Sequence, residues 1–259
     1  MPGVQDRVVI VTGAGGGLGR EYALTLAKEG ACVVVNDLGG ARDGTGAGHN
    51  MADHVVAEIK EAGGRAVANY DSVAEAEGAA NIVKTALDEF GKVDGVVSNA
   101  GILRDGTFHK MTDENWDAVL KVHLYGGYNV IRAAWPHFRE QSFGRVVVAT
   151  STSGLFGNFG QANYGAAKLG LVGLINMLAQ EGAKYNIKAN ALAPIAATRM
   201  TEDILPPEVL KNLTPEFVAP VMAYLCTEEV PDTGSIFIVG GGKVQRTALF
   251  QNEGVTFTA

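Results

Sequence analysis

Three side chains suited to acid–base chemistry occur close together in the sequence, at Ser151, Tyr164 and Lys168. Tyr164 and Lys168 are four residues apart, a spacing that places them on one face of a helix, one turn from each other. An ammonium group beside a phenol favours the phenolate, so the pair predicts a Tyr164 pKa below the usual value of about 10. Such a tyrosine can act as general acid and base near neutral pH. The same spacing is also common on solvated helix faces, so the pair alone does not distinguish a catalytic site from a solvated surface.

Ser151 follows an apolar run, residues 145–150, that is typical of a buried parallel strand. Open α/β sheets bind ligands at the carboxyl ends of their strands, and Ser151 lies at such an end. Its hydroxyl could donate a hydrogen bond to a substrate oxygen. A long apolar helical pattern opens at Tyr164 and would carry Tyr164 and Lys168.

A glycine-rich turn, residues 13–19, lies between the first predicted strand, residues 7–12, and a helical pattern that runs to Glu29. Glycines let the backbone approach a pyrophosphate, and the free N–H groups of a helix N-terminus bind it. Glycines also form ordinary tight turns, but a dinucleotide site requires this position between a strand and a helix. We therefore predict that the turn binds a dinucleotide through Gly13, Gly17, Leu18 and Gly19.

Two acidic positions follow the next predicted strands. Asp37 ends the second strand, where a carboxylate can accept both hydroxyls of an adenosine ribose and repel a 2′-phosphate, which favours NAD over NADP. Asp37 could instead cap a turn, and the nearby Arg42 could receive that phosphate. Asp71 and Ser72 follow the third strand, and Asp71 either meets the adenine edge or caps the next helix.

Apolar runs and helical patterns alternate about six times along the 259 residues, which predicts one α/β domain over residues 1–259. Right-handed crossovers would give a single doubly wound Rossmann domain with a mainly parallel, seven-stranded sheet. A glycine-rich loop spans residues 38–50, and residues 195–214 have the character of a substrate lid. The tail, residues 243–259, has no assignment. The predicted strands are residues 7–12, 31–37, 64–70, 93–98, 145–150, 186–193 and 235–239.

Composition excludes several classes of function. The net charge of −7 argues against nucleic acid as a partner, and no apolar run approaches the roughly 20 residues of a membrane span. The N-terminus lacks the pattern of a secretory signal, and Cys32 and Cys226 have no neighbouring ligands for a metal site. We therefore expect no metal, a reducing compartment and a cytoplasmic location.

Together these segments resemble the short-chain dehydrogenase/reductase family over essentially the whole chain. The resemblance implies an NAD-dependent enzyme that transfers hydride to or from a small-molecule alcohol or carbonyl. It rests on Thr12-Gly13-x-x-x-Gly17-x-Gly19, on Asn99-Ala100-Gly101 after the fourth strand, and on the spacing of Ser151, Tyr164 and Lys168.

The family assigns roles to the matching residues. By this resemblance Tyr164 is the general acid and base, Ser151 polarises the substrate carbonyl, and Lys168 binds the nicotinamide ribose and lowers the Tyr164 pKa. Asn99, Ala100 and Gly101 belong to the cofactor site.

Two positions depart from the family pattern. In the family a catalytic Asn holds a water that leads from the Lys to solvent, and this Asn aligns with His123. His123 could hold that water and carry a proton itself, or could only brace its helix. The usual Pro-Gly is replaced by Pro194-Ile195. Thr198 is the expected contact to the nicotinamide carboxamide, with Thr201 as the alternative.

Further segments are similar to one branch, the dehydrogenase domains of peroxisomal multifunctional enzymes type 2. Those domains oxidise (3R)-hydroxyacyl-CoA thioesters with NAD, and some members are named 17β-hydroxysteroid dehydrogenases. The resemblance implies a stand-alone bacterial version. The segments are residues 36–40, 99–105, 132–136, 157–164 and 199–201.

The sequence is compatible with several functions and partners. A steroid alcohol could replace the acyl-CoA, since both are bulky substrates beside apolar surface, and a dinucleotide sensor without catalysis is a third possibility. An acyl-carrier-protein reductase using NADPH is disfavoured by Asp37. The helix after Tyr164 is apolar on more than one face, which together with the family predicts a homotetramer or homodimer. Leu103, Leu155, Phe156, Phe159 and Met200 could line the substrate pocket, and Arg104, Lys110 and Arg199 could meet the phosphates of CoA.

Overall fold

The computed structural model describes residues 2–196 and 212–257. Within them, eight strands form one sheet in the order β3-β2-β1-β4-β5-β6-β7-β8. All neighbouring pairs are parallel except β7 and β8, which are antiparallel. The strands are β1 (Val8–Thr12), β2 (Cys32–Asn36), β3 (Arg65–Asn69), β4 (Gly95–Ser98), β5 (Gly144–Ala149), β6 (Ile187–Pro194), β7 (Ile236–Gly240) and β8 (Lys243–Thr247).

Helices cover both faces of this sheet. A π-helical turn, Lys121–Tyr125, joins the fourth and fifth helices into one continuous segment. The α-helices of the described residues are α1 (Gly17–Lys28), α2 (Asn50–Glu61), α3 (Ala76–Phe90), α4 (Asp113–Leu120), α5 (Gly126–Gln141), α6 (Thr152–Phe156), α7 (Ala162–Gly182) and α8 (Ala219–Leu225).

The central strands are buried on both faces because their residues alternate between two apolar layers. Val9 and Val11 of β1 pack with α1, α2 and α8, whereas Val8 and Ile10 pack with α3, α5 and α7. A continuous apolar run is the sequence pattern that such a two-faced burial requires. Each fully buried Val or Ile side chain contributes about 1.5–3 kcal/mol of transfer free energy.

The prediction of a doubly wound, mainly parallel Rossmann sheet is confirmed. The strand count is corrected from seven to eight, because the tail contributes β8 through five antiparallel pairs with β7. The strand order reverses between β1 and β4, and ligands bind at such a switch point, beyond the carboxyl ends of the strands. None of the helices in the described ranges combines the length and apolar content needed to cross a bilayer.

Candidate active site

The glycine turn between β1 and α1 is packed too closely for side chains. Gly13 has a φ of +63°, and a Cβ there would lie 2.7 Å from the Cα of Ala100. A Cβ on Gly19 would lie 2.0 Å from the carbonyl oxygen of Gly13. Helix α1 begins without a side-chain cap on its N–H groups, since Gly16 precedes it. This N-terminus has the geometry that favours binding of an anionic pyrophosphate.

Asn99 ties the end of β4 to the glycine turn. Its side-chain amide donates to the carbonyl oxygens of Thr12 and Gly13, both at 3.2 Å. The Thr12 hydroxyl in turn accepts the backbone N–H groups of Asn99 and Ala100, both at 3.1 Å. The two strand ends on either side of the switch point are therefore held in one register. The role of Asn99-Ala100-Gly101 in the cofactor site, which the family resemblance implies, stays a prediction.

The carboxylate of Asp37 is fixed by backbone donors. Oδ2 accepts the N–H of Gly15 at 2.8 Å, and Oδ1 accepts the N–H of Gly39 at 2.7 Å. An ionised carboxylate has about four acceptor positions, so both oxygens keep lone pairs for a further donor. Asp37 is thus oriented at the start of the glycine-rich loop and can still accept ribose hydroxyls.

Asp71 lies in a polar cluster after β3. Its carboxylate accepts the side-chain amides of Asn69 at 2.8 Å and Asn81 at 3.3 Å. The residue that precedes α3 is Glu75, so the alternative that Asp71 caps this helix is wrong. The neighbouring Ser72 accepts the N–H of Ala74 at 3.2 Å, which shapes the turn beside the cluster.

These residues surround a cleft of about 420 Å³ at the switch point. This volume is typical of small-molecule sites. The lining fits a dinucleotide, because it combines a free helix N-terminus, an oriented carboxylate and closely approachable backbone. No cluster of metal ligands occurs among the residues that the structure describes. The predicted residues that line the cleft are Gly13, Gly17, Leu18, Gly19, Asp37, Asp71, Ser72, Asn99, Ala100 and Gly101.

Ser151, Tyr164 and Lys168 come together at the carboxyl end of β5, as the spacing predicted. Ser151 precedes α6, and its Oγ accepts the N–H of Ser153 at 3.1 Å. The Ser151 side chain also interacts with the Tyr164 phenol, and this interaction lowers the Tyr164 pKa. Lys168 Nζ lies 5.5 Å from the centre of the Tyr164 ring and donates to the carbonyl oxygen of Ala149 at 2.6 Å.

Burial dominates the titration of this pair. It lowers the Lys168 pKa to about 7. It raises the Tyr164 pKa, and the interaction with Ser151 offsets this only in part. The expectation that Lys168 beside Tyr164 gives a lowered Tyr164 pKa is therefore wrong. Removing the phenolate from water costs more free energy than its neighbours return.

His123 lies in the π-helical turn, beneath Gly101. A Cβ on Gly101 would lie 2.2 Å from the His123 ring, so only glycine fits there. Nε2 is 2.8 Å from the carbonyl oxygen and 3.0 Å from the nitrogen of Ile102, whereas Nδ1 is buried without a hydrogen-bond partner. The ring meets Tyr164 edge-on at 5.2 Å. Burial, followed by the charge of Lys168, holds the His123 pKa well below its usual range.

The other predicted residues divide into four groups. Pro194 ends β6 at the same edge of the sheet. The basic side chain of Arg104 lines the cleft, and Lys110 is exposed outside it. Phe156 and Phe159 are exposed. Thr198, Arg199, Met200 and Thr201, with most of the expected lid, lie outside the described residues.

Two parts of the site were not predicted from the sequence. The glycine-rich loop folds onto the segment after β4: the carbonyl of Arg42 accepts the N–H of Leu103 at 3.0 Å, and that of Asp43 accepts Arg104 Nε at 2.9 Å. Asp105 accepts the side-chain amide of Gln161 at 2.8 Å, close to Tyr164. Both contacts join residues far apart in the sequence, and no local pattern announces them.

Known proteins resemble this chain at the levels of sequence and structure. The profile of the short chain dehydrogenase family matches residues 7–208. A short-chain type dehydrogenase/reductase of Mycobacterium tuberculosis is 84% identical over 257 residues, which cover 99% of this chain and 90% of that protein. A hydroxyacyl-CoA dehydrogenase of the same organism is 38% identical over 93% of this chain and 79% of its own length.

Multidomain enzymes contain a matching region. Peroxisomal multifunctional enzyme type 2 of Mus musculus is 56% identical over 91% of this chain, which spans 32% of that enzyme. The solved structure of the full-length enzyme of that type from Drosophila melanogaster superposes with a TM-score of 0.81 at 40% identity. The match covers 97% of this chain and 41% of the Drosophila chain, so this chain spans less than half of either enzyme.

Proposed function

The chain belongs to the short-chain dehydrogenase family, and from this premise we propose that it interconverts a (3R)-3-hydroxyacyl-CoA and the 3-oxoacyl-CoA with NAD. The observation that carries the proposal is the convergence of Ser151, Tyr164 and Lys168 beside a cleft suited to a dinucleotide. This arrangement supports proton transfer at an alcohol oxygen while a hydride leaves its carbon.

Each of the three side chains has a distinct task in this proposal. Tyr164 Oη takes the hydroxyl proton during oxidation and returns it during reduction. The Ser151 side chain interacts with the phenol, and its hydroxyl would donate to the substrate oxygen and orient it beside Tyr164. Lys168 stabilises the phenolate electrostatically, and its pKa of about 7 makes its charge sensitive to the surroundings. When bound, the nicotinamide accepts or supplies the hydride.

The choice of NAD rests on Asp37. Its carboxylate is oriented by Gly15 and Gly39 at the end of β2, where it can accept ribose hydroxyls and would repel a 2′-phosphate. Arg42 also lines the cleft and is the feature that would favour NADP. Saturation kinetics with both cofactors test this choice, and a lower KM for NADP would contradict it.

The choice of a thioester rests on the similarity to peroxisomal multifunctional enzymes and to a hydroxyacyl-CoA dehydrogenase. The guanidinium of Arg104 at the cleft supplies a charge that CoA phosphates would meet. Exposed Phe156 and Phe159 lie between Ser151 and Tyr164 in the sequence and offer apolar surface for an acyl chain. A 17β-hydroxysteroid is the competing substrate, since it would use the same apolar surface without the charge.

His123 is proposed to serve the proton path in place of the usual Asn. Its Nδ1 is the buried atom without a partner, and Nε2 is held at the backbone of Ile102. Nδ1 is therefore the ring atom that can exchange a proton near Lys168. His123→Asn should remove a limb from the pH–rate profile, and an unchanged profile would leave His123 as a brace only.

An exposed apolar face of α7 supports the proposed homotetramer or homodimer. Leu169 and Met177 of α7 are exposed on the side opposite the face that packs on the sheet. Light scattering across a concentration series would test the assembly, and a monomer at all concentrations would contradict it. The proposed cytoplasmic location follows from the sequence composition.

Steady-state oxidation, followed as NADH appears, tests the proposed function. We expect a (3R)-hydroxyacyl-CoA to exceed both its (3S) epimer and a 17β-hydroxysteroid by orders of magnitude in kcat/KM. Tyr164→Phe should abolish turnover, while Tyr128→Phe on α5 is the matched control. A faster steroid would overturn the thioester, and NAD binding without turnover of any alcohol would favour a dinucleotide sensor.

A further inference from the structure

A side-chain bridge connects the segment after β4 to the start of α7. Asp105 Oδ2 accepts Gln161 Nε2 at 2.8 Å, and Asn158 Nδ2 donates to Gln161 Oε1 at 2.9 Å. A carboxylate only accepts, so the nitrogen of the Gln161 amide must face Asp105. Gln161 is 8% exposed, and both ends of its amide are engaged. Its side chain therefore has one orientation, which Asp105 specifies.

Further contacts bind the same two segments. The N–H of Gly106 donates to the carbonyl of Gly160 at 2.8 Å, and Gly106 bridges Gln161 in a parallel pair. The side-chain amide of Asn163, which is fully buried, donates to the carbonyls of Arg104 at 2.9 Å and Asn115 at 3.2 Å. The segment before Tyr164 is thus fastened to the segment after β4 on two sides.

The residues that make these contacts are hydrogen-bonded to the first turn of α7, which carries Tyr164. Gln161 precedes the helix, and its carbonyl accepts the N–H of Gly165 at 2.7 Å. The N–H of Tyr164 donates to Asn163 Oδ1 at 2.8 Å. A change in the orientation of Gln161 is therefore passed to the phenol. An error of about 1 Å in the position of a catalytic group can cost about 100-fold in rate.

The negative charge of Asp105 also acts on Tyr164. It raises the Tyr164 pKa, in the same direction as burial. The other titratable groups beside the phenol are Lys168 on its own helix and His123 on the π-helical turn. Replacing the carboxylate by an amide would thus change the titration of Tyr164 while keeping an acceptor for Gln161.

We propose that Asp105 is a positioning residue that holds Tyr164 in its reactive place through the side chain of Gln161. This inference rests on the proposed oxidation of an alcohol at Tyr164. Asp105 itself touches neither the Ser151 nor the Lys168 side chain in the described contacts. Its effect therefore reaches the chemistry through the first turn of α7.

The test compares Asp105→Ala, Asp105→Asn, Gln161→Ala and the double alanine variant. Asp105→Ala should lower kcat by about 30- to 100-fold with KM within about threefold, because the phenol is misplaced. Asp105→Asn should restore kcat to within about threefold, since its amide oxygen still accepts Gln161 Nε2. It should also move the acidic limb of the kcat profile to lower pH, because the phenolate forms more readily. The double variant should be no slower than the slower single variant.

Asp117→Asn, which removes an exposed carboxylate from α4, is the matched control and should leave kcat unchanged. An Asp105→Ala enzyme as fast as the wild type would overturn the proposal, as would additive losses in the double variant. An equal loss in Asp105→Asn and Asp105→Ala would overturn the role of the acceptor. The wild type is measured first with the thioester and with the steroid. Activity with the steroid alone would overturn the thioester as the proposed substrate, and the Asp105 and Gln161 variants would then be compared with the steroid. No activity on either overturns both proposals.

Discussion

Two buried cationic side chains, one from β5 and one from α7, lie near opposite ends of strand β5, and their surroundings differ. Arg145, near the start, is 1% exposed and stacks at 4.1 Å on the ring of Phe143. Lys168, at the carboxyl end, is 4% exposed and donates to the carbonyl of Ala149. The guanidinium of Arg145 donates to four backbone carbonyls, those of Thr227 at 2.7 Å, Gly144 at 2.9 Å, Asn186 at 2.8 Å and Glu228 at 3.0 Å.

The difference separates a structural charge from a chemical one. Arginine has five N–H donors and lysine has three, so Arg145 is nearly saturated while Lys168 keeps donors for a ligand. Burial lowers the pKa of Arg145 to about 10, which leaves it charged at neutral pH. Burial lowers the pKa of Lys168 to about 7, where the proton is easily gained or lost. A buried cation with free donors and a labile proton is found at the end of the sheet where the active site is proposed.

Lys168→Met should give the largest effect, and it should fall on activity. A side chain of similar length removes the ammonium that stabilises the phenolate, so we expect kcat/KM to fall about 1000-fold, or about 4 kcal/mol. The unfolding free energy at pH 7 should stay the same or rise, since a buried charge is removed. Turnover assays and urea denaturation measure the two quantities. A variant that unfolds more easily would assign Lys168 a structural role as well.

Arg145→Met should give the reverse pattern. Four carbonyls lose their donor, and the unfolding free energy should fall by about 3 kcal/mol or more. The folded fraction should keep kcat/KM within about threefold, because Arg145 lies at the far end of β5 from Ser151. Arg145→Lys, which restores the charge without the forked geometry, should recover only part of the loss. Unchanged stability in Arg145→Met would contradict the structural assignment.

The pH dependence of stability should sharpen the contrast. The Lys168 pKa is about 7 in the folded chain, and it is about 10.4 in the unfolded chain. Between these values the unfolded chain binds more protons, so the destabilisation from Lys168 is complete below pH 7 and fades as pH rises. The wild type should gain up to about 1.4 kcal/mol per pH unit over this window relative to Lys168→Met. Parallel curves for the two proteins would refute the lowered pKa.

The smallest effect concerns two buried polar atoms, one in the core and one at the candidate site. Among the described residues, Tyr22 Oη and His123 Nδ1 are the buried side-chain atoms without a hydrogen-bond partner. Tyr22 lies on the buried face of α1, in the core, so Tyr22→Phe should raise the unfolding free energy by up to about 1 kcal/mol. Tyr70→Phe removes a hydroxyl that donates to Asp53 and should give no such gain. Thermal unfolding compares the pair, and a loss of stability in Tyr22→Phe would show an unrecognised partner.

The sheet was predictable where apolar runs are long and uninterrupted. The first strand was predicted at residues 7–12 and is found at Val8–Thr12. The eighth strand was missed because Lys243–Thr247 is polar and exposed, so its pairing with β7 leaves no periodic apolar pattern. Helix α6 was missed because five residues are too few to establish a period.

The candidate site was predictable to the extent that its residues are close in sequence or follow strand ends. The predicted cofactor residues after β1, β2, β3 and β4 line one cleft because parallel strands present their carboxyl ends together. The direction of the Tyr164 pKa was not predictable, because spacing places Lys168 nearby and says nothing about burial. The link from Asp105 to Gln161 joins two loops 56 residues apart, and only the fold brings them into contact.

The antiparallel strand β8 has a consequence for the behaviour of the protein at high concentration. Without it the sheet would end at β7, whose free backbone N–H and C=O groups could pair with another chain. β8 covers that edge through five residue pairs and turns Lys243, Gln245 and Arg246 to the solvent. Charged side chains on a short outer strand disfavour edge-to-edge aggregation. The last strand therefore protects the colloidal stability of the protein, at the side of the sheet farthest from β3.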